Sequence, residues 1–164
     1  MAVAGNQEVM RTVHQWLDLY GVSHRNPTNK TIHWICVPVI YWTVLAFILS
    51  IPAGVLSTIA PWLNWAVLAV VVVQLYYFML SWRLALGMLV VNVVLLVFTD
   101  WLAGVSPWPL WQVALVAFIL AWIGQFIGHK IEGKKPSFFN DLQFLMIGPI
   151  WLLADAYRRI GLRV

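Results

Sequence analysis

Of 164 residues, 62% are hydrophobic and only 10% charged, with a mean hydropathy of +0.84, whereas a soluble domain carries about 25% charged residues. That excludes a water-soluble globular fold and points to an integral membrane protein of one domain, 1–164. The formal charge of +4 does not imply a nucleic-acid partner, because the basic residues sit scattered at the ends of apolar segments, and a lone cysteine, Cys36, excludes an internal disulfide framework.

Residues 1–33 combine an amphipathic stretch, "VMRTVHQWLDLYG", with a polar entry, "SHRNPTNKTIHW". No apolar signal-peptide core precedes them, so the first spanning segment is expected to direct its own insertion. Asn26-Pro27 has the form of a helix N-cap followed by proline at the first helical position. Region 34–128 holds four apolar stretches, 34–51, 62–80, 84–102 and 108–128, each near the twenty or so residues that a bilayer core requires. Such segments must be helical, since no water is available to satisfy their backbone groups. Pro52, Gly54, Pro61, Ser81, Gly104, Pro107 and Pro109 punctuate short connections, which imply antiparallel neighbours.

Region 129–164 begins with a His/Glu loop and continues into a fifth apolar run, 142–154, interrupted by Gly148-Pro149. That run is short for an ordinary span and suits a re-entrant or interfacial segment. The expected architecture is therefore all-α: a membrane helical bundle of four transmembrane helices plus a short C-terminal re-entrant or interfacial helix. Arg11, Arg25, Lys30, Arg83, Lys130, Lys134 and Lys135 all fall on one side of it, while connections 52–61 and 103–107 carry no lysine or arginine. The positive-inside rule then makes both termini cytoplasmic, in a bacterial inner membrane or an endoplasmic reticulum. Asn92 and Gln74, inside the spans, are expected to hydrogen-bond between helices.

This topology brings His24, His33 and His129 to the same membrane boundary. Asn26, Asn29 and His33 fall at helical spacing on one face, and so do Gln125, His129 and Glu132. Gly124 and Gly128 form a small-xxx-small pair that lets a neighbouring helix approach closely, and Gly133 and Pro136 terminate that helix. Imidazoles beside a carboxylate, with coordination positions left open, suit iron(II) or another divalent transition metal. The plainer reading of any one of these histidines is a hydrogen-bonded helix-end residue. Glu132 has three readings: a ligand, a group that orients His129, or a partner of Lys135. His14 belongs to no such pattern.

The blocks "SHRNPTNKTIHWICVP" and "QFIGHKIEGKKP" resemble the membrane 2-hydroxy fatty acid dioxygenase family, typified by a fungal endoplasmic-reticulum enzyme of phytosphingosine breakdown. The spacings H-x-N-P-x-N-x-x-I-H and Q-F-I-G-H-x-x-E-x-x-x-P carry the resemblance. Ser137 departs from the alanine common after the proline. The resemblance implies Fe(2+) held by His24, His33, His129 and Glu132, and an α-oxidation of a 2-hydroxy fatty acid by dioxygen to the acid one carbon shorter, with release of CO2. Cleaving the C1–C2 bond to carboxylic acid, CO2 and water removes four electrons, the number dioxygen accepts, so no further reductant is needed. For such a substrate, Lys30 and Lys134, like Arg25 and Lys135, are placed to attract the carboxylate, and Asn26 and Asn29 to bond a substrate oxygen or a histidine; otherwise the asparagines cap the helix and the basic residues set topology.

Two other readings compete. A membrane di-iron hydroxylase needs clustered histidine boxes, more than four histidines allow. A small transporter or lipid-binding scaffold with a pH-responsive histidine cluster is the non-enzymatic alternative, although no span carries an ionisable residue near its middle. The sequence leaves oligomeric state open.

Overall fold

In the computed structural model, which describes residues 11–135 and 143–164, helix starts follow the capping chemistry of the sequence. Helix α1 (Val13–Gly21) opens on a capping box in which Thr12 and Gln15 exchange backbone and side-chain hydrogen bonds. Helix α2 (Pro27–Leu49) starts where Asn26 Oδ1 accepts the amides of Thr28 and Asn29, with Pro27 at the position where its missing N–H costs nothing. A single turn, α3 (Leu56–Ile59), leads to α4 (Trp65–Leu80). Ser81 both ends α4 and caps α5 (Trp82–Val105). Helix α6 (Leu110–Glu132) stops at Gly133, which adopts φ +74 as a left-handed cap. Pro136, the other expected stop, lies outside the described residues. The last helix is α7 (Phe144–Arg159). Among the described residues no strand occurs.

Three helices, α2, α5 and α6, are long and apolar enough to cross a membrane, and they mark the chain as a membrane protein. Their outward faces expose Val90, Val93, Val97, Val116, Leu120 and Ile127, a surface that suits lipid and not water. The expected span 62–80 is shorter than the apolar run, because Asn64 accepts the Val67 amide and starts α4 at Trp65. Its 16 residues extend about 24 Å at 1.5 Å per residue. The expected fifth segment, read as 142–154, runs on as helix to Arg159 without a break at Pro149. Tyr77 Oη donates to the Met146 carbonyl at 2.9 Å, beside the carbonyl that Pro149 leaves without a helical partner. Ile147, Ile150 and Ala154 are sealed against α1, α2 and α5, so α7 is held by protein packing.

Inside the bundle, polar side chains link the helices. Tyr41 Oη donates to Asn92 Oδ1 (2.7 Å), Asn92 Nδ2 to Gln74 Oε1 (3.2 Å), and Gln74 Nε2 to the Ala85 carbonyl (2.7 Å). This is the expected interhelical role of Asn92 and Gln74, and it joins α2, α4 and α5 where water is absent.

The closest packing is between α2 and α6. A Cβ on Gly124 would lie 2.6 Å from Cys36 Sγ, and one on Gly128 would collide with Asn29 Oδ1. Both glycines are therefore needed for the approach. Gly124→Ala should lower stability by about 1–3 kcal/mol, the usual cost of overpacking, and Cys36→Ala should restore most of that loss. Thermal unfolding of the single and double variants in detergent checks this; equal losses with and without Cys36 would show that the glycine acts elsewhere.

Candidate metal centre

His24 sits in the turn between α1 and α2, His33 on the second turn of α2, and His129 on the last turn of α6. The close α2–α6 packing and the fold-back of α1 bring them together, with side chains only 1%, 1% and 5% exposed. One nitrogen from each lies within 4.8 Å of the other two.

The tautomers follow from the backbone. His24 Nδ1 lies 2.6 Å from the Tyr20 carbonyl and His33 Nδ1 lies 2.9 Å from the Asn29 carbonyl. A carbonyl only accepts, so each Nδ1 carries the proton and each Nε2 presents a lone pair. Both Nε2 atoms, and Nδ1 of His129, are buried without a hydrogen-bond partner. Each buried polar atom left unmade costs about 1–3 kcal/mol, and in a cluster whose rings each bring a nitrogen within 4.8 Å of the others a cation would relieve that cost. Three neutral imidazoles with no thiolate suit iron, zinc, copper or nickel, so the residues present fit the expected metal.

Tyr20 lies parallel to the His24 ring, centroids 4.2 Å apart at 8°, and Trp151 of α7 packs on both. Burial, with the nearby His33 as second cause, pushes the His24 imidazole down to about 3, which favours the neutral, ligating form. Burial also pushes the Tyr20 phenol up, so it remains a hydrogen-bond donor.

Glu132 is engaged elsewhere. Its Oε1 accepts the Arg25 amide (2.8 Å) and its Oε2 accepts the Asn26 amide (2.8 Å) and Asn29 Nδ2 (3.0 Å). Asn29 Nδ2 also donates to the Ser23 carbonyl at 3.1 Å. Lys134 Nζ reaches the Val22 carbonyl at 2.9 Å. These contacts tie the His24 turn to the end of α6. Lys30 and His14 are exposed.

A cavity of about 360 Å³ opens from the three histidines into the bundle, within the range of small-molecule sites. Its polar lining at that end is Tyr20, Gln125 and the imidazoles, and its remainder is almost wholly apolar. Asn26, Asn29, Lys30, Lys134 and Glu132 are not part of the lining. Sequence reasoning missed Tyr20 and Trp151. Tyr20 stands four residues before His24 and so had a helical-spacing signal, whereas Trp151 was one of eleven tryptophans with nothing to single it out.

Fold and site together define a membrane-embedded helical protein with a three-histidine centre, able to hold a metal, at the head of an apolar cavity. The family model described as 2-hydroxy-palmitic acid dioxygenase Mpo1-like matches residues 10–160, and the chain belongs to this Mpo1-like family. No curated protein and no solved structure matches it.

Two measurements test the site. Glu132→Gln puts an amide N–H against backbone donors and should cost about 1–3 kcal/mol of stability, yet leave metal bound at saturation; metal loss as complete as in His33→Ala, by elemental analysis, would make Glu132 a ligand. For His24, the folded chain keeps the ring neutral where the unfolded chain takes up a proton at its ordinary value of 6.5. Metal-free protein should therefore hold full stability above that pH and lose it progressively as pH falls towards 3. A thermal midpoint independent of pH between 7.5 and 4.5, measured against about a unit of expected His titration, would contradict this.

Proposed function

We propose that the protein is an Fe(II)-dependent dioxygenase that shortens 2-hydroxy fatty acids by one carbon, with dioxygen as oxidant and release of CO2. The observation that carries this reading is the set of three orphaned imidazole nitrogens at the head of an apolar cavity. Membership of the Mpo1-like family supports the reaction class.

Bound iron(II) would supply Lewis acidity toward an α-hydroxy carboxylate and a place for dioxygen beside it. The chain does the rest. The Tyr20 and Asn29 carbonyls hold His24 and His33 in the tautomer that points Nε2 inward. Glu132 positions His24 by gripping the amides that follow it, and Trp151 and Tyr20 wall off the ring from water. Gln125 and Tyr20 are the uncharged polar groups in the lining that can hydrogen-bond the hydroxyl and carboxyl of the headgroup. In this reading Asn26, Asn29 and Lys134 act through the framework, and exposed Lys30 draws the anionic headgroup toward the boundary.

The topology belongs to the proposal as well. Four membrane helices, α4 included, place both termini and all basic residues on the cytoplasmic face, with α7 packed at that end. Substrate and product then partition from the same leaflet.

The test is metal analysis of detergent-purified protein together with mass spectrometry after incubation with 2-hydroxypalmitate and oxygen. About one iron per chain and pentadecanoic acid are expected, and alanine at His24, His33 or His129 should abolish both. Chain shortening that survives the triple replacement would end this mechanism, and full activity after strict chelation would end the iron assignment alone.

A further inference from the structure

We propose that the cavity is an acyl channel entered sideways from the bilayer between α4 and α6, and that Ile48, Ala69 and Phe118 at its far end set the chain length accepted. The proposal rests on the dioxygenase reading for the identity of the headgroup, but not for the course of the chain.

Along α2 the cavity is lined by His33, Val37, Tyr41, Leu45 and Ile48, whose spacings of four and three keep them on one stripe. From His33 to Ile48 the helix rises about 22 Å, a palmitoyl-scale distance. Helix α6 descends in the opposite direction through Gln125 and Trp122 to Phe118. The level of α4 is fixed by Trp65 Nε1, which donates to the Pro52 carbonyl at 3.1 Å. Ala69, one turn further on, then lies at the level of Ile48. Below the histidine end the polar side-chain atoms of the lining are the Tyr41 hydroxyl, committed to Asn92, and the indole nitrogen of Trp122. A sugar, peptide or nucleotide would leave most of its polar groups without partners there, whereas an unsubstituted hydrocarbon needs none.

The entrance follows from packing. Helix α6 is held by α2, and α4 by α5 and α2, while α4 and α6 scarcely touch although both line the cavity. Lipid is the solvent on that side, so a fatty acid can slide in laterally with its headgroup at the boundary and its tail between the two helices.

Two experiments read this out. In lipid nanodiscs, a palmitic acid analogue with a diazirine at its terminal carbon should label peptides containing 44–48, 69 or 118; label confined to outward residues such as Val93 and Val97 would overturn the channel. In turnover assays across chain lengths, Ala69→Phe should lower kcat/KM for 2-hydroxypalmitate relative to 2-hydroxylaurate by at least about ten-fold, the least that a misfitted methylene costs. Phe118→Ala should shift the preference toward longer chains. Equal loss at every length would refute the length assignment. The labelling needs no turnover, so labelled far-end peptides without any chain shortening would retain the channel and dismiss the reaction; chain shortening without that label would do the reverse.

Discussion

The structure depends on one carboxylate. Glu132, at the end of α6, accepts the amides of Arg25 and Asn26 and the side-chain amide of Asn29. A helix N-terminus presents unpaired N–H groups and partial positive charge, so an anion is favoured at the start of α2. The contact fixes the register of α6 on α2 and closes the turn that carries His24. Gly124 and Gly128 supply the other half of the constraint by allowing the helix axes to approach. With register and distance both set, His33 and His129 have little freedom but to face each other, and His24 is drawn into the same space.

The same packing makes the cavity. Tyr41, Asn92 and Gln74 bind α2, α4 and α5 through hydrogen bonds that have no competition from water. Helix α6 is committed to α2 by its glycine face. Neither arrangement leaves α4 and α6 a reason to close on each other, and the space between them stays lined with apolar side chains. Helix α7 caps the histidine end from the remaining side through Phe144 and Trp151. Unequal helix packing thus produces a cavity that is flanked by protein at its histidine end and apolar along most of its length.

Much of this was legible from residue spacing. The Asn26-Pro27 start, the Gly133 stop, the meeting of the three histidines and the interhelical role of Asn92 and Gln74 all follow from local rules, and the structure agrees with them. What was not legible depended on contacts distant in sequence. In the apolar run 62–80 the N-cap residue Asn64 was the one sign that the helix starts at Trp65, and hydropathy masked it, because Trp62 and Leu63 are as apolar as the residues after them. The partners of Glu132 are backbone amides more than a hundred positions away, and amides have no sequence signature. For Lys30 and Lys134 the sequence offered only sign and proximity to the histidines, and where each side chain lies, Lys30 exposed and Lys134 on the Val22 carbonyl, depends on the fold of the turn.

The absence of lysine and arginine from the cavity lining bears on selectivity. An anionic headgroup brought into a low-dielectric site is strongly disfavoured unless positive charge accompanies it. Neutral imidazoles supply none, and burial keeps His24 neutral. Under the proposed function, the compensating charge at that end would come with a bound divalent ion, which would tie acceptance of an anionic headgroup to the presence of the ion. A fixed lysine in the same place would have held any fatty acid equally well. With uncharged donors such as Gln125 and Tyr20 at that end instead, the proposed reading favours a headgroup that would offer the ion more than one oxygen, as an α-hydroxy carboxylate does.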